Sequence, residues 1–259
     1  MQLDVLRDLD ALCRAHGLRC YLAYGTLLGA ARHGGFVPWD DDVDVMLPRP
    51  DYDRLREVFA TSAPDHLVLD APGSQPGWPL PYAKVGDRRT ELREPLEVPV
   101  ELGVNVDVFP VDGVPAGRLA RQVQARLLVV LGRLVELTYL TPERARLWHR
   151  PAAVRLGKPL LRRLGLDRLV RWTDRVARWA SPSADRLGVR VGSFDWAVPR
   201  AALGEPVEVA FEGLRLLAPA DTDRVLTSLY GDWRTLPPES ERVSHHAFTA
   251  RWRAGRPAQ

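Results

Sequence analysis

The spacing of apolar residues changes several times along the first part of the chain, and each change predicts an element. Leucines recur at helical spacing over residues 2–16, which predicts an amphipathic helix that ends near Gly17. Residues 19–24 form a short apolar segment and predict a buried strand. Helical spacing returns over residues 48–60, which predicts a packing helix.

Strand and loop patterns dominate elsewhere. Residues 103–110 alternate strictly between apolar and other residues, which predicts a strand. Residues 65–80 are rich in proline and glycine and predict a loop. Residues 211–219 suggest a hairpin, and residues 221–230 suggest a helix that Asp221 would cap.

A cluster of aspartates supplies the first candidate chemistry. Asp42 and Asp44 are separated by one valine and followed by another, so on a strand both carboxylates point to the same face. Two such carboxylates repel unless a positive charge lies between them, and a hard divalent cation with oxygen ligands suits that position. Asp40 and Asp41 are assigned supporting roles. A solvated acidic turn is the alternative, and the alternating valines argue against it.

A second candidate lies just upstream, at Gly25 and Thr26. This pair reads as a turn that opens a short helix, where free backbone N–H groups and small side chains favour phosphate binding. Arg32 and His33 follow and are in reach of the same phosphate. As the alternative, both are solvated loop residues.

Composition limits the class of protein. The chain has 259 residues, 46% of them hydrophobic, and its net charge of only +3 is too weak to indicate a nucleic-acid partner, so none is expected. Two cysteines give no disulfide framework. The N-terminus lacks the apolar region of a signal peptide, and the longest apolar run, residues 127–131, is far too short to span a bilayer. We therefore expect a cytoplasmic protein, with peripheral membrane contact left open.

Residues 116–180 have a different character, with an excess of arginine and helical spacing broken into about three helices. One apolar stripe contains Leu169, Trp172, Val176 and Trp179, and beside it lie Arg168, Arg171, Arg175 and Arg178. These are either packing helices with a solvated basic face or a surface for an anionic acceptor or anionic membrane.

The segment GTLLGAARHGGFVPWDDDVDVML, residues 25–47, resembles the signature of the LicD family, which also contains fukutin and fukutin-related protein. The resemblance implies an α/β (α+β) fold with a nucleotidyltransferase-like core, a small mixed β-sheet flanked by helices and an α-helical insertion. It divides the chain into a catalytic core at 1–115, a basic helical insertion at 116–185 and a C-terminal part at 186–259 that completes the core. Thr26 stands where many members of the superfamily have serine.

Further resemblance implies further site residues. The segment PYAKVGDRRTELRE is similar to a family strand that carries Tyr82, Lys84 and Thr90. In a chain with only two lysines, Lys84 suits a single phosphate oxygen, although a surface lysine is the alternative. Asp107 matches the third acid of the superfamily, and Asp112 is expected to be a turn residue.

The C-terminal part is similar to a family block of aromatic, proline and histidine residues. Tyr230 and Trp233 would line a pocket or pack in the core, and either His245 or His246 would match the family histidine.

Together these residues imply a metal-dependent phosphotransferase. Asp42, Asp44 and Asp107 would hold Mg²⁺ or Mn²⁺ and carry the catalysis, and Asp107 would take the proton of the attacking hydroxyl or position the metal that acidifies it. The substrate- and phosphate-binding set is Gly25, Thr26, Arg32, His33, Lys84, Tyr230, His245 and His246. The resemblance to the LicD family implies that the enzyme would move a substituted phosphate, such as phosphocholine or a polyol phosphate, from a CDP-alcohol to a hydroxyl of a sugar, glycan or small metabolite, releasing CMP.

Two other functions remain open at this point. A nucleotidyltransferase would use the same residues to transfer a nucleoside monophosphate and release pyrophosphate. A non-catalytic module would use the basic helices to bind an anionic ligand, although three converging carboxylates argue against a pure binder.

Overall fold

The computed structural model describes residues 1–93, 100, 102–139, 159, 161, 163–191, 194–243 and 249–253. A mixed β-sheet runs through this part of the chain, with helices packed against it. The α/β fold class predicted from sequence is thereby confirmed.

The strands are β1 (Tyr21–Leu22), β2 (Asp44–Pro48), β3 (Leu67–Asp70), β4 (Ala83–Arg93), β5 (Leu102–Gly113), β6 (Arg186–Val191), β7 (Phe194–Asp195), β8 (Val198–Pro199), β9 (Val207–Phe211), β10 (Leu214–Ala218) and β11 (Thr249–Trp252). The helices are α1 (Gln2–Ala15), α2 (Tyr24–His33), α3 (Arg49–Ser62), α4 (Arg118–Tyr139), α5 (Leu166–Ala177), α6 (Arg200–Leu203) and α7 (Thr222–Tyr230). A short 3₁₀ helix covers Glu239–Glu241.

The sheet has the strand order β11-β4-β5-β2-β1-β10-β9, with β3 beside β4 and β6 beside β5. The pairs β2–β5 and β1–β10 are parallel, and the other pairs along this order are antiparallel. Strand β5 lies at the centre and is buried along its whole described length. It is buried because β2 and β4 cover its two edges and helices α1 and α3 pack on it.

Several sequence predictions are confirmed by these bounds. Helix α1 buries Leu6, Leu9 and Cys13, and Gly17 follows it with a φ of 64°. The predicted hairpin is β9–β10, turned by Glu212 and Gly213 at positive φ. Asp221 caps α7 by accepting a hydrogen bond from the backbone N–H of Arg224.

Other predictions were wrong in detail. Strand β2 begins at Asp44, so Asp42 lies in the loop before it instead of one strand step away. Strand β3 occupies part of the predicted loop 65–80, because pairing with β4 supplies the hydrogen bonds that a short segment cannot supply alone. Gly25 and Thr26 lie inside the first turn of α2, not ahead of it.

Asp112 is not a turn residue, because β5 continues through it to Gly113. Its carboxylate accepts two hydrogen bonds from Arg49, Nε to Oδ1 at 2.7 Å and Nη2 to Oδ2 at 2.5 Å. Arg49 also donates through Nη1 to Asp174 of α5 at 3.0 Å. This buried ion pair fastens the start of α3 and the helical region to the central strand.

Helices α4 and α5 confirm that the region after residue 116 is helical, and they pack on each other. Gln124 Nε2 donates to the backbone oxygens of Val176 and Ala177 at 2.9 and 3.2 Å. Residues 140–158, where a further helix was expected, lie outside the described residues. Across the described ranges, the helices are too short or too polar to cross a bilayer.

The apolar stripe predicted on α5 and just beyond it is not the buried stripe. Trp172 and Trp179 keep 39% and 51% of their surface exposed. The helix buries Leu169, Val170, Thr173 and Ala177. Thr173 is tolerated inside because its hydroxyl donates to the backbone oxygen of Leu169 at 3.1 Å. Arg178, counted in the basic stripe, forms ion pairs with Asp53 and Asp174.

Candidate active site

Asp44, Asp107 and Lys84 form a row across three neighbouring strands. Asp44 of β2 is in register with Asp107 of the parallel strand β5, and Asp107 is in register with Lys84 of the antiparallel strand β4. Residues in register on adjacent strands point to the same face of a sheet. The backbone N–H of Asp107 donates to the oxygen of Val43 at 2.8 Å, which fixes the alignment. We call these three residues the carboxylate–lysine row.

The Lys84 ammonium is held by two acceptors of β5. Its Nζ donates to Asp107 Oδ1 at 2.6 Å and to Asn105 Oδ1 at 3.1 Å. The side chains of Lys84 and Asp107 keep only 9% and 11% of their surface exposed. Lys84 is therefore a buried member of the site, and the surface-lysine alternative is wrong.

Negative charge accumulates around Asp44. Burial raises the pKa of Asp44 well above its usual 3.8, and the charges of Asp42, Asp107 and Asp40 raise it further. Lys84 opposes this shift. Asp42 thus acts on Asp44 from the loop, although it does not share the strand with it.

The start of α2 lies against the beginning of β2. The hydroxyl of Thr26, which is buried, accepts a hydrogen bond from the backbone N–H of Asp44 at 2.9 Å. The backbone N–H of Ala23 donates to the oxygen of Asp44 at 3.0 Å. Thr26 therefore positions Asp44, a role that the sequence prediction of phosphate binding did not include.

Gly25 lies directly against the carboxylate of Asp40. A Cβ at this position would overlap Asp40 Oδ2, so only glycine allows the two to approach in this way. Tyr24, immediately before it, has a φ of 42°, which is uncommon for a residue with a side chain. Its ring meets Phe109 edge-on at 5.0 Å, and its hydroxyl accepts a hydrogen bond from Trp196 Nε1 at 3.1 Å. These contacts hold the helix start in a conformation that costs free energy.

The C-terminal end of α2 is also near the acids. Arg32 donates through Nη1 to the backbone oxygen of Trp233 at 3.1 Å and through Nε to His33 at 3.0 Å. Desolvation raises the pKa of Tyr230, and the charges of Asp44, Asp40 and Asp42 add to the rise. Tyr230 nevertheless keeps 44% of its surface exposed, so it stands at the border of the acidic cluster. Desolvation and the charge of Arg32 lower the pKa of His33.

The remaining candidates divide into two groups. His245 and His246 lie outside the described residues. Thr90 is structural, since its hydroxyl donates to Asp87 O at 2.6 Å and accepts from the backbone N–H of Val104 at 2.7 Å. It thereby bridges an irregularity in the pairing of β4 with β5.

Two contributions were missed by sequence reasoning. Asn105 orients Lys84, and its place two residues before Asp107 on an alternating strand was a usable signal. Trp39 lies beneath two guanidinium groups, those of Arg32 at 6.0 Å and Arg242 at 5.5 Å. Nothing in the local pattern could have brought Arg242, more than 200 residues away, to this loop.

The donor set of the site suits a hard divalent cation. It consists of carboxylate oxygens, and their charges converge on buried Asp44, where a cation would offset the repulsion. Within the described ranges, no group of three His, Cys, Asp or Glu side chains is arranged so that it could hold a metal ion. Lys84 is the cation that neutralises Asp107 in this arrangement.

A mixed sheet that presents carboxylates on adjacent parallel strands, beside the start of a small-residue helix, defines a nucleotidyltransferase-like α/β protein. Residues 17–76 match the family model described as LicD/FKTN/FKRP, nucleotidyltransferase domain. Over these residues the chain is similar to the LicD family.

Named relatives extend this similarity. The lipopolysaccharide cholinephosphotransferase LicD of Haemophilus influenzae is 26% identical over 256 residues, which cover 94% of this chain and 92% of that protein. The human ribitol 5-phosphate transferase FKRP is 40% identical over 60 residues, which cover 23% of this chain and 12% of that protein. Because the similarity to the Haemophilus influenzae protein leaves out only 6% of this chain, it includes the three strands of the carboxylate–lysine row.

Proposed function

We propose that this protein is a phosphotransferase that moves a substituted phosphate from a CDP-alcohol to a hydroxyl of a sugar or glycan, releasing CMP. The observation that carries the proposal is the carboxylate–lysine row, with Asp44 and Asp107 in register and Lys84 bound to Asp107. The names of two relatives, a cholinephosphotransferase and a ribitol 5-phosphate transferase, support this reaction class.

Asp42, Asp44 and Asp107 are the residues that would hold Mg²⁺ or Mn²⁺. Such an ion would neutralise the negative charge of the donor's diphosphate. Lys84 adds a positive charge that the protein itself provides, next to Asp107. Gly25 contributes no side-chain atoms at the start of α2, but the carboxylate of Asp40 lies against it, so a phosphate oxygen approaches the backbone there only if Asp40 turns away.

In the transfer, the bond between the phosphorus of the substituted phosphate and its bridging oxygen breaks, and that oxygen leaves with CMP. A new phosphorus–oxygen bond forms to the acceptor hydroxyl, whose proton passes to a carboxylate of the row. Asp44 suits this step because it lies in register with Asp107 and is not the carboxylate to which Lys84 Nζ donates at 2.6 Å. The sequence had suggested Asp107, but Oδ1 of Asp107 is occupied by Lys84.

The test is incubation of the purified chain with CDP-choline, CDP-ethanolamine, CDP-glycerol and CDP-ribitol, with Mg²⁺ or Mn²⁺ and a lipopolysaccharide or sugar acceptor. CMP and the phosphorylated acceptor are followed by mass spectrometry. We expect both products to appear together with one donor and to disappear in Asp44→Asn and Asp107→Asn. Asp10→Asn is the matched control, because Asp10 is a partly buried carboxylate on α1 that pairs with Arg14, away from the row.

The product distinguishes this function from the alternative. Release of pyrophosphate from a nucleoside triphosphate, without CMP from any CDP-alcohol, would make the protein a nucleotidyltransferase instead. Full activity in either row variant would contradict the assignment of the site.

A further inference from the structure

The outward face of α4 is apolar, although a surface helix normally turns polar residues to solvent. Its exposed residues include Leu119 at 75%, Val130 at 54%, Val129 at 45%, Val123 at 42% and Leu127 at 38%. The opposite face is also apolar or uncharged and packs inward, with Gln124, Leu128 and Val135 buried. The outward residues therefore contribute nothing to the core formed by the described residues.

Four of these residues form one continuous stripe. At about 100° per residue, Leu119, Val123, Leu127 and Val130 fall within about 80° of helix surface and extend for about 16 Å along the axis. We call these four residues the α4 stripe. A contiguous apolar surface of this kind marks an interaction site more often than an isolated exposed leucine does.

The charges around the α4 stripe have a single sign. Arg118, Arg126 and Arg133 are exposed along one flank of the α4 stripe, and Arg133 forms an ion pair with Glu136 at 3.4 Å. Residues 113–135 contain no aspartate or glutamate, and the first acid is Glu136 near the end of the helix. The face is therefore both apolar and uniformly basic over its first four to five turns.

This charge pattern decides between two occupants. If two copies of the chain paired through the α4 stripe, each would bring arginines toward arginines without a carboxylate in the stripe region to match them, and like charges disfavour such pairing. Anionic lipid headgroups complement the arginines, while the shallow apolar layer beneath them receives the leucine and valine side chains. Helix α5 is less suited than the sequence suggested, because Asp167 and Asp174 lie among its arginines, and Arg178 just beyond its end pairs with Asp53 and Asp174.

We propose that the α4 stripe and its arginines dock the protein on an anionic membrane surface, with α4 lying in the plane of the interface. This goes beyond the proposed transfer reaction and does not depend on it. Helix α4 is not apolar enough to cross a bilayer, so the binding is peripheral.

The test uses the full chain in vesicle sedimentation, with phosphatidylcholine alone and with phosphatidylcholine containing about one-third phosphatidylglycerol. We expect binding to the anionic vesicles only, and loss of binding at high salt. The first variant removes the apolar component and combines Leu119→Gln, Val123→Gln and Val130→Gln. The second variant reverses the basic component and combines Arg118→Glu with Arg126→Glu. Each arginine near an anionic surface contributes about five-fold in affinity, so we expect the second variant to bind at least about 25-fold more weakly.

Matched controls lie elsewhere on the surface. Val207→Gln with Leu236→Gln changes exposed apolar residues outside α4, and Arg54→Glu changes an exposed arginine of α3. Both controls should bind as the wild type does. Because all altered side chains are exposed, circular dichroism should show unchanged melting, and activity on a water-soluble acceptor should be unchanged in every variant.

Three results would overturn the proposal. The first is equal sedimentation with neutral and anionic vesicles, or none with either. The second is a wild-type dimer in sedimentation velocity that the α4-stripe variant converts to a monomer, which would make the stripe a contact between copies. The third is loss of vesicle binding in Arg168→Glu with Arg171→Glu of α5 but not in the α4 variants.

Discussion

Replacing Lys84 by methionine separates the electrostatic role of the carboxylate–lysine row from simple packing. Methionine has a similar length and no charge, so it leaves Asp107 buried beside Asp44 without its cation. Asn105 also loses the hydrogen bond that it receives from Lys84. We expect this variant to be less stable than the wild type and inactive.

The magnitude follows from the geometry. At 2.6 Å, and with an effective dielectric constant of about 20, the attraction between Lys84 and Asp107 is about 6 kcal/mol before the cost of desolvation is subtracted. Removal of one partner from a buried pair typically costs about 3–5 kcal/mol. We expect about 3 kcal/mol here, because both side chains keep some contact with water. For a chain of this size, such a loss lowers Tm by about 6–12 °C.

A divalent cation supplies the discriminating measurement. If the row binds Mg²⁺ or Mn²⁺, the ion replaces part of the missing positive charge, so it should raise the Tm of Lys84→Met more than that of the wild type. Differential scanning calorimetry with each ion and with EDTA measures this difference.

Arg49→Met is the matched control, because it breaks a buried ion pair with Asp112 that lies outside the row. We expect comparable destabilisation without any additional rescue by the cation. Equal rescue of both variants, or a Lys84→Met protein that melts with the wild type, would refute the electrostatic reasoning.

Three further substitutions test the neighbouring residues. Asp44→Asn should abolish transfer yet raise the free energy of unfolding at neutral pH. Because the raised pKa of Asp44 destabilises the folded state increasingly as pH rises above about 4, this gain in stability should shrink on acidification. Equal gains in urea unfolding at pH values of about 5 and 7.5 would contradict this. Thr26→Val should cost about 1–3 kcal/mol, because the backbone N–H of Asp44 loses its acceptor, whereas Thr26→Ser should keep the stability measured in urea. Gly25→Ala should displace Asp40 and raise the KM for the CDP-alcohol, and an unchanged KM would argue against close phosphate approach at this turn.

Local patterns were sufficient for most elements. Period-two alternation identified the strand that carries Asp107, and helical spacing identified α1, α3 and α7. These predictions succeed because side-chain direction repeats with backbone geometry, so a buried face leaves its period in the sequence. The same local information failed at β3 and at the start of β2, where pairing with a distant strand sets the boundary.

The sequence by itself determined which residues carry charge in the site: the aspartates before and within β2, Lys84 and Asp107. Only the tertiary structure decided how they are used. Strand register placed Lys84 on Asp107 and Asp107 beside Asp44, and the α2 contact turned Thr26 toward the Asp44 backbone. It also made Asp112 a partner of Arg49 and left one face of α4 apolar and exposed. These outcomes depend on contacts between residues far apart in the chain, and the spacing of residues within a single segment does not predict such contacts.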